Sequence, residues 1–264
     1  MLKPLTVADV HSWVDAAHTR WAADLQFREL RRGVQAVSNL YVHKRNTRAL
    51  SDKAADGRGK RAAFVVYYGG LHLVLTQEWM REHPAERVDT VFDFGCGPGV
   101  VGAAAGRWTG CGRVEASDRL GRHLEVAAWT GRQLGVRTKT RKASLPQAVE
   151  RTRGPGLLTF GWVLNELSDD DRRATLSAVV RRLQAGAGAL IFAPLSLRAS
   201  PWWPEAVRTI RQVRPDCLDQ EYRCQPDLPQ LLSDLDRAAR LDHRTLGARV
   251  LYARPTLTAR PATE

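Results

Sequence analysis

One seven-residue string constrains this chain more than any other part of it: Asp93-Phe94-Gly95-Cys96-Gly97-Pro98-Gly99. It closes a short apolar run, Val88 to Phe94, that reads as a strand, and it opens a run of small apolar residues, Val100 to Trp108, that suits a helix packed tightly on a sheet. A strand that ends in Asp-x-Gly-x-Gly-x-Gly and leads into a helix is a nucleotide-sized binding device. Its glycines allow positive φ and let a ligand approach the backbone closely.

The rest of the chain agrees with such a unit. Further strands are expected at Arg113 to Ser117, Val136 to Lys142, Gly156 to Leu164, Ala187 to Ala193 and Ala248 to Pro255. Helices are expected at Leu120 to Leu134, at Asp169 to Leu183 with an acidic first turn that suits the dipole, and at Leu228 to Arg240. Another is expected at Pro201 to Val213, with Ser200 as cap and Pro201 at its first position. Strands alternating with helices imply crossover units and a mostly parallel, doubly wound α/β sheet. No such alternation precedes residue 88. There Val10, Trp13, Val14, Ala17, Trp21 and Leu25 recur at spacings of three and four, which gives one apolar helix face. A second helix is predicted from Phe27 to about Leu40 and a third from Ala62 to Arg81, with a polar loop from Asn46 to Arg61 between them. The expected division is a helical part, 1–85, and a sheet domain, 86–264.

The chain has 264 residues, enough for one large α/β domain with a smaller helical one. The four cysteines, Cys96, Cys111, Cys217 and Cys224, lack CxxC spacing, so neither a disulfide framework nor a metal site is expected, and a reduced, cytoplasmic setting is the simplest reading. No signal peptide is apparent after Met1. The most apolar stretch, Ala62 to Thr76, is too short to span a bilayer, so no membrane association is expected. The net charge of +12 is unusual. A strongly basic chain commonly meets a polyanion, although an arginine-rich genome would give the same balance.

Two cofactors compete for the glycine turn. Gly97-Pro98-Gly99-Val100-Val101-Gly102 also satisfies GxGxxG, the dinucleotide fingerprint, with Asp118 near the distance that suits a ribose hydroxyl. A third reading is a structural turn with no ligand. Asp93 separates them, because a carboxylate at the strand end would repel a pyrophosphate. S-adenosylmethionine has no phosphate; it carries an ammonium, a carboxylate and a sulfonium. Asp93 can serve the cationic moiety, exposed backbone amides can receive the carboxylate, and Asp118 can accept both ribose hydroxyls at the end of the next strand.

The set of strand, Asp93, glycine turn, helix, strand and Asp118 resembles the cofactor half of the class I methyltransferases. That resemblance implies S-adenosylmethionine as cofactor, S-adenosylhomocysteine as product, and a binding set of Asp93, Gly95, Cys96, Gly97, Gly99, Asp118, Arg119, Ser144, Leu145 and Trp162. Ser144 and Leu145 follow the third strand, where the adenine is usually flanked, and Cys96 reads as packing rather than as a nucleophile.

In this fold the end of the fourth strand faces the methyl donor. Here Asn165 and Glu166 end an otherwise apolar run. Either they cap the helix that begins near Asp169, or one orients the acceptor and the other helps remove its proton. No Asn/Asp-Pro-Pro-Tyr tetrad is present, and no Pro-Cys nucleophile stands at this strand end. Val163-Leu164-Asn165-Glu166-Leu167 resembles a segment of a methyltransferase-like family associated with the small ribosomal subunit, which leans the reading toward ribosomal RNA. Gly59 to Phe64 fits that family loosely. Members of that family often carry a late cysteine cluster, which Cys217 and Cys224 cannot supply alone.

Between Arg28 and Arg61 lie ten basic residues, and Lys44, Arg45 and Arg48 with neighbouring Tyr41 interleave charge and an aromatic ring. Arg137, Lys139, Arg141 and Lys142 make a second basic set along the third strand, an edge in the usual order of this fold. Such charges contact phosphates without reading bases, or serve as a solvated face that discourages sheet-to-sheet association. Trp202 and Trp203 could wall an acceptor pocket or stack a flipped base, although core packing also suits them. His72 and His123 have no partner at ligand spacing and read as ordinary. The sequence thus favours an RNA methyltransferase, acting on ribosomal or transfer RNA, with RNA or the ribosomal subunit as partner. The alternatives are a small-molecule methyltransferase with the helical part as its lid, and a ribosome-associated assembly factor that binds the cofactor without transferring the methyl group.

Overall fold

The computed structural model describes residues 2–43 and 57–256. Helix α1 (Val7–Trp21) starts where a side chain can satisfy its free amides. The Thr6 hydroxyl accepts from the Asp9 amide at 3.2 Å while Asp9 Oδ2 accepts from the Thr6 amide at 2.8 Å, a reciprocal capping box. Its apolar stripe, Val10, Trp13, Val14 and Ala17, is buried. Helix α2 spans Phe27–His43 and buries Leu30, Val34 and Val37.

The segment expected as loop up to Arg61 is helical from Arg58. Helix α3 (Arg58–Ala63) runs through a π-helical turn, Phe64–Tyr68, into α4 (Gly69–Glu82). The run RGKRAA is polar on one side and buries Ala62 and Ala63 on the other, so the density of charge masked a helical start. Trp13 of α1 packs on Trp129, with ring centroids 5.8 Å apart, so the helical part shares one apolar cluster with a face of the sheet.

The sheet follows: β1 (Val91–Phe94), α5 (Val100–Trp108), β2 (Arg113–Asp118), α6 (Gly121–Gln133), β3 (Arg137–Lys142), α7 (Leu145–Arg151), β4 (Leu157–Gly161), α8 (Asp169–Gln184), β5 (Gly188–Pro194), α9 (Trp203–Arg211), β6 (Leu218–Cys224), α10 (Gln230–Ala239) and β7 (Leu246–Ala253). The strand order is β3-β2-β1-β4-β5-β7-β6. Strands β1 to β5 pair in parallel, whereas β7 runs antiparallel to both β5 and β6. This is the doubly wound, mostly parallel sheet that the methyltransferase resemblance implies. Both faces are covered. Leu157 of β4 joins the cluster that includes α1 to α6, and Leu158 joins the one that includes α7, α8 and α9. Each such side chain, fully removed from water, contributes about 1.5–3 kcal/mol.

Several boundaries differ from expectation. Strand β4 stops at Gly161, and Leu164–Glu166 form a 3₁₀ turn, because the backbone turns at Trp162 with φ +56°. Helix α9 begins at Trp203 with Pro204 in its first turn, not at Pro201. Ser200 is buried and its hydroxyl donates to the Pro194 carbonyl at 3.4 Å, so it caps nothing. Two elements were not legible at all. Helix α7 is seven residues long, and β6 carries charge at Asp219, Glu221 and Arg223, with Tyr222 as its one buried side chain. Strand β3 does lie at the sheet edge, and its four basic side chains are exposed.

Candidate functional site

The order of the sheet reverses between β1 and β4, and a crevice opens there outside the carboxyl ends of the strands. At two of its glycines the turn that leaves β1 has no room for a side chain. Gly95 has φ +62°, and a Cβ there would stand 2.3 Å from Val163 Cγ2. Gly99 has φ +76°, and its Cβ would stand 2.7 Å from the Ala127 Cα. The turn is thereby wedged between the exit of β4 and helix α6.

Its amides are more committed than the sequence suggested. The Cys96 amide donates to the Ser117 carbonyl at 3.0 Å, Gly97 to Asp118 Oδ2 at 3.0 Å and Gly99 to the Cys96 carbonyl at 2.7 Å. A ligand carboxylate is therefore better served by the first turn of α5, where helix amides lack intrahelical acceptors and where Val100 and Val101 face the crevice. The Cys96 thiol is buried, and burial followed by the charges of Asp93 and Asp118 pushes its pKa well up, which suits packing.

Asp93 and Asp118 end adjacent strands, yet they differ. Asp93 is buried and accepts from the Thr159 hydroxyl at 2.8 Å. Burial raises its pKa, the Thr159 hydroxyl and Gly102 amide pull it back, and the sum is about 7. Asp118 is also buried, and burial alone would raise it. The His123 ring at 3.3 Å and the amides of Leu120 (2.9 Å) and Gly97 outweigh that, so its pKa lies below the ordinary carboxylate value. Asp118 is the fixed anion of the site and Asp93 the adjustable one. His123, read from sequence as ordinary, holds Asp118 and stacks on Phe64 of the π-helical turn at 5.2 Å.

A single cavity of about 1080 Å³ extends from this turn to the start of β7. Asp93, Gly95, Cys96, Gly97, Asp118, Arg119, Ser144, Leu145, Trp162, Asn165 and Glu166 all line it. Ser144 is also the residue before α7, and its side chain makes no capping bond there. The Trp162 ring stacks on His72 (3.8 Å, 6°) and on Phe192 (5.3 Å, 20°). Burial, and then the nearby His243, lower the His72 pKa to about 3, which keeps that ring neutral. Helix α8 is capped by Ser168, whose hydroxyl accepts from the Asp171 amide at 3.2 Å. Asn165 and Glu166 therefore do not cap it. Asn165 Oδ1 is buried with no hydrogen-bond partner among the described residues.

A second wall comes from Ser38 of α2, Tyr68 of the π-helical turn, Leu71 and Leu75 of α4, and the stretch from His243 into the start of β7. Behind it, Tyr67, Asp236 and His243 bond to one another. Sequence reasoning missed this group, and no local signal could have shown it, since Tyr67 and Asp236 lie 169 residues apart.

Three expectations fail to converge on the cavity, and the first is Gly99, which shapes the turn but does not line the space. Trp202 and Trp203 are buried in the cluster beneath α9, where Trp203 Nε1 donates to Asp219 Oδ1 at 3.0 Å and Arg172 lies over the Trp202 ring. They are core residues, not acceptor walls. Lys44, Arg45 and Arg48 lie outside the described residues. Among the described residues no group of three His, Cys, Asp or Glu could hold a metal ion, and no helix is long and apolar enough to cross a membrane.

No family model matches the chain, and no curated protein matches it. Solved structures do. A precorrin-6y C5,15-methyltransferase from Geobacter metallireducens is 14% identical, with 71% of this chain and 87% of that one covered and a TM-score of 0.46. The N-methyltransferase NodS from Bradyrhizobium japonicum, in complex with S-adenosylhomocysteine, is 12% identical over 83% of this chain and 98% of that one, at 0.43. The S-adenosylmethionine-dependent methyltransferase SibL is 17% identical over 92% and 74%, at 0.46. These likenesses are distant.

Proposed function

We propose that this chain is an S-adenosylmethionine-dependent methyltransferase. The observation that carries the reading is the pairing of Asp93 and Asp118 at adjacent parallel strand ends around a positive-φ glycine turn that opens into a large cavity. The residues present suit that cofactor. Asp118, ionised and fixed, would accept from the ribose hydroxyls, while the glycine turn and the start of α5 would receive the methionine end beside Asp93. Arg119, Ser144 and Leu145 would flank the adenosine. A pyrophosphate would meet Asp93, which disfavours a dinucleotide. When bound, the cofactor supplies a methyl group already activated by its sulfonium, so the protein's task is alignment and proton removal. Asn165 Oδ1, buried and unbonded, would orient an N–H or O–H of the acceptor. The helical part, 1–85, would wall the acceptor end, and residues 86–264 would hold the cofactor.

For the acceptor, the reading is RNA in a cytoplasmic setting, presented as one extruded nucleotide. The four exposed basic side chains of β3 support it, because the strand runs directly into Ala143 to Pro146 at the cavity. Phosphates bound along that edge would bring a nucleotide to the opening. A small-molecule acceptor is the second reading, favoured by the apolar wall of Leu71 and Leu75.

Labelled S-adenosylmethionine, offered with total RNA and separately with small-molecule extract from cells lacking the protein, tests both. Label in RNA that falls steeply between low and high salt supports the first reading. Salt-insensitive label in the extract supports the second. Cofactor binding without label in either pool would leave only the assembly-factor role.

A further inference from the structure

The wall that includes His243 is backed by titratable groups that cofactor binding does not use. Asp236 of α10 is only 7% exposed. Its carboxylate accepts from the Tyr67 hydroxyl, from the His243 amide at 3.1 Å and from His243 Nδ1 at 2.6 Å. Tyr67 comes from the π-helical turn, and such turns recur at functional sites. His243 precedes β7, and because β7 is antiparallel to β5 its start lies beside the carboxyl ends of the parallel strands. His243 lines the cavity.

This is a particular chemical arrangement. A buried carboxylate on Nδ1 fixes the imidazole as the Nδ1–H tautomer and leaves Nε2 as a bare, basic nitrogen. The other two histidines among the described cavity residues are differently placed. His123 is tied to Asp118 at the cofactor end, and His72 is stacked flat on Trp162.

We propose, on the methyltransferase reading above, that His243 is the base that takes the acceptor's proton, with Asp236 and Tyr67 as its positioning residues. The acceptor's lone pair forms the new bond to the methyl carbon, and the carbon–sulfur bond breaks with its pair left on sulfur. The acceptor's proton passes to His243 Nε2 and then to water. Glu166 and Asn165, which also line the cavity, orient the acceptor.

Two measurements test this on the full chain. Nitrogen-15 NMR of the imidazoles should show His243 as the Nδ1–H tautomer with and without S-adenosylhomocysteine, and Asp236→Asn should abolish that preference. An Nε2–H tautomer in the wild type would overturn the proposal without any activity assay. In the labelled-methyl assay, with total RNA and small-molecule extract as acceptor pools, His243→Gln should lower incorporation by about 100-fold or more while S-adenosylhomocysteine affinity stays within about threefold. His243→Asn, with the same readouts, guards against a variant that folds poorly. Undiminished incorporation by both variants would sink the base and leave the methyltransferase standing. No incorporation by the wild type would remove the methyl-transfer reading, and the base with it.

Discussion

Two walls enclose the cavity, and they are built in different ways. On the sheet side, Asp93, Gly95, Gly97 and Asp118 come from one contiguous strand–turn–helix–strand unit, held mainly by backbone shape and by amides donating to carbonyls and a carboxylate. The wall that includes His243 draws on a loop, and side-chain hydrogen bonds tie that residue to Tyr67 of a helix interior and Asp236 of a second helix, which lie behind the cavity surface. The first wall tolerates almost no change of backbone and needs little from the rest of the chain. The second depends on how well distant segments dock, which is where acceptor-specific chemistry can vary without disturbing the cofactor end.

The largest effect that separates the walls should come from Gly95→Val. Its side chain meets Val163 where a Cβ alone would stand at 2.3 Å, on a backbone that disfavours any L side chain. Calorimetry with S-adenosylhomocysteine should show at least about 100-fold weaker binding, a loss of about 2.7 kcal/mol or more. Near-normal affinity would mean that the turn is not the cradle. Asp118→Ala comes next. It removes a charged acceptor from the Gly97 and Leu120 amides and from His123, and the loss should be about 10–100-fold in affinity. Unchanged affinity in this variant would place the ribose elsewhere.

Asp93→Asn should act through pH. With its folded pKa raised to about 7 from 3.8, Asp93 holds a proton in the native chain that the unfolded chain has already lost. Native stability therefore falls as pH rises between about 4 and 7, by roughly 1 kcal/mol per unit from this group. Thermal melts at pH 5 and pH 7.5 should show that decline reduced in Asp93→Asn, and an identical decline would contradict the buried, protonated state. The smallest effect on the fold should come from Lys139→Glu with Arg141→Glu. Both are exposed, so stability should move by less than about 0.5 kcal/mol. RNA affinity should drop with a shallower salt dependence, by about one unit of slope for each phosphate that the strand no longer neutralises. RNA affinity and slope unchanged from wild type would remove β3 from the interface.

The same contrast explains what the sequence revealed. Glycine spacing, the two acids and the apolar strands are local patterns, so α5 was placed to its exact ends and Asp93, Gly97 and Asp118 were found together. Elements that owe their form to tertiary docking stayed hidden. Strand β6 is held by pairing with β7 despite its charges, and α3 by burial of two alanines. Trp202 and Trp203 show the opposite failure, since an aromatic pair after a strand suits a pocket or a core equally until packing decides. His243 was invisible because its partners lie in other segments, while Asn165 and Glu166 could be separated from a capping role only once Ser168 was seen to fill it.

The claim at the centre is that the turn from Asp93 to Gly99, with Asp118, holds S-adenosylmethionine. Titration calorimetry of the wild type and Asp118→Ala with S-adenosylhomocysteine, repeated with NAD, tests it directly. Saturable 1:1 binding of S-adenosylhomocysteine is expected, weakened at least about tenfold in the variant, with no heat from NAD. Binding of NAD, or no binding of S-adenosylhomocysteine by the wild type, would contradict it.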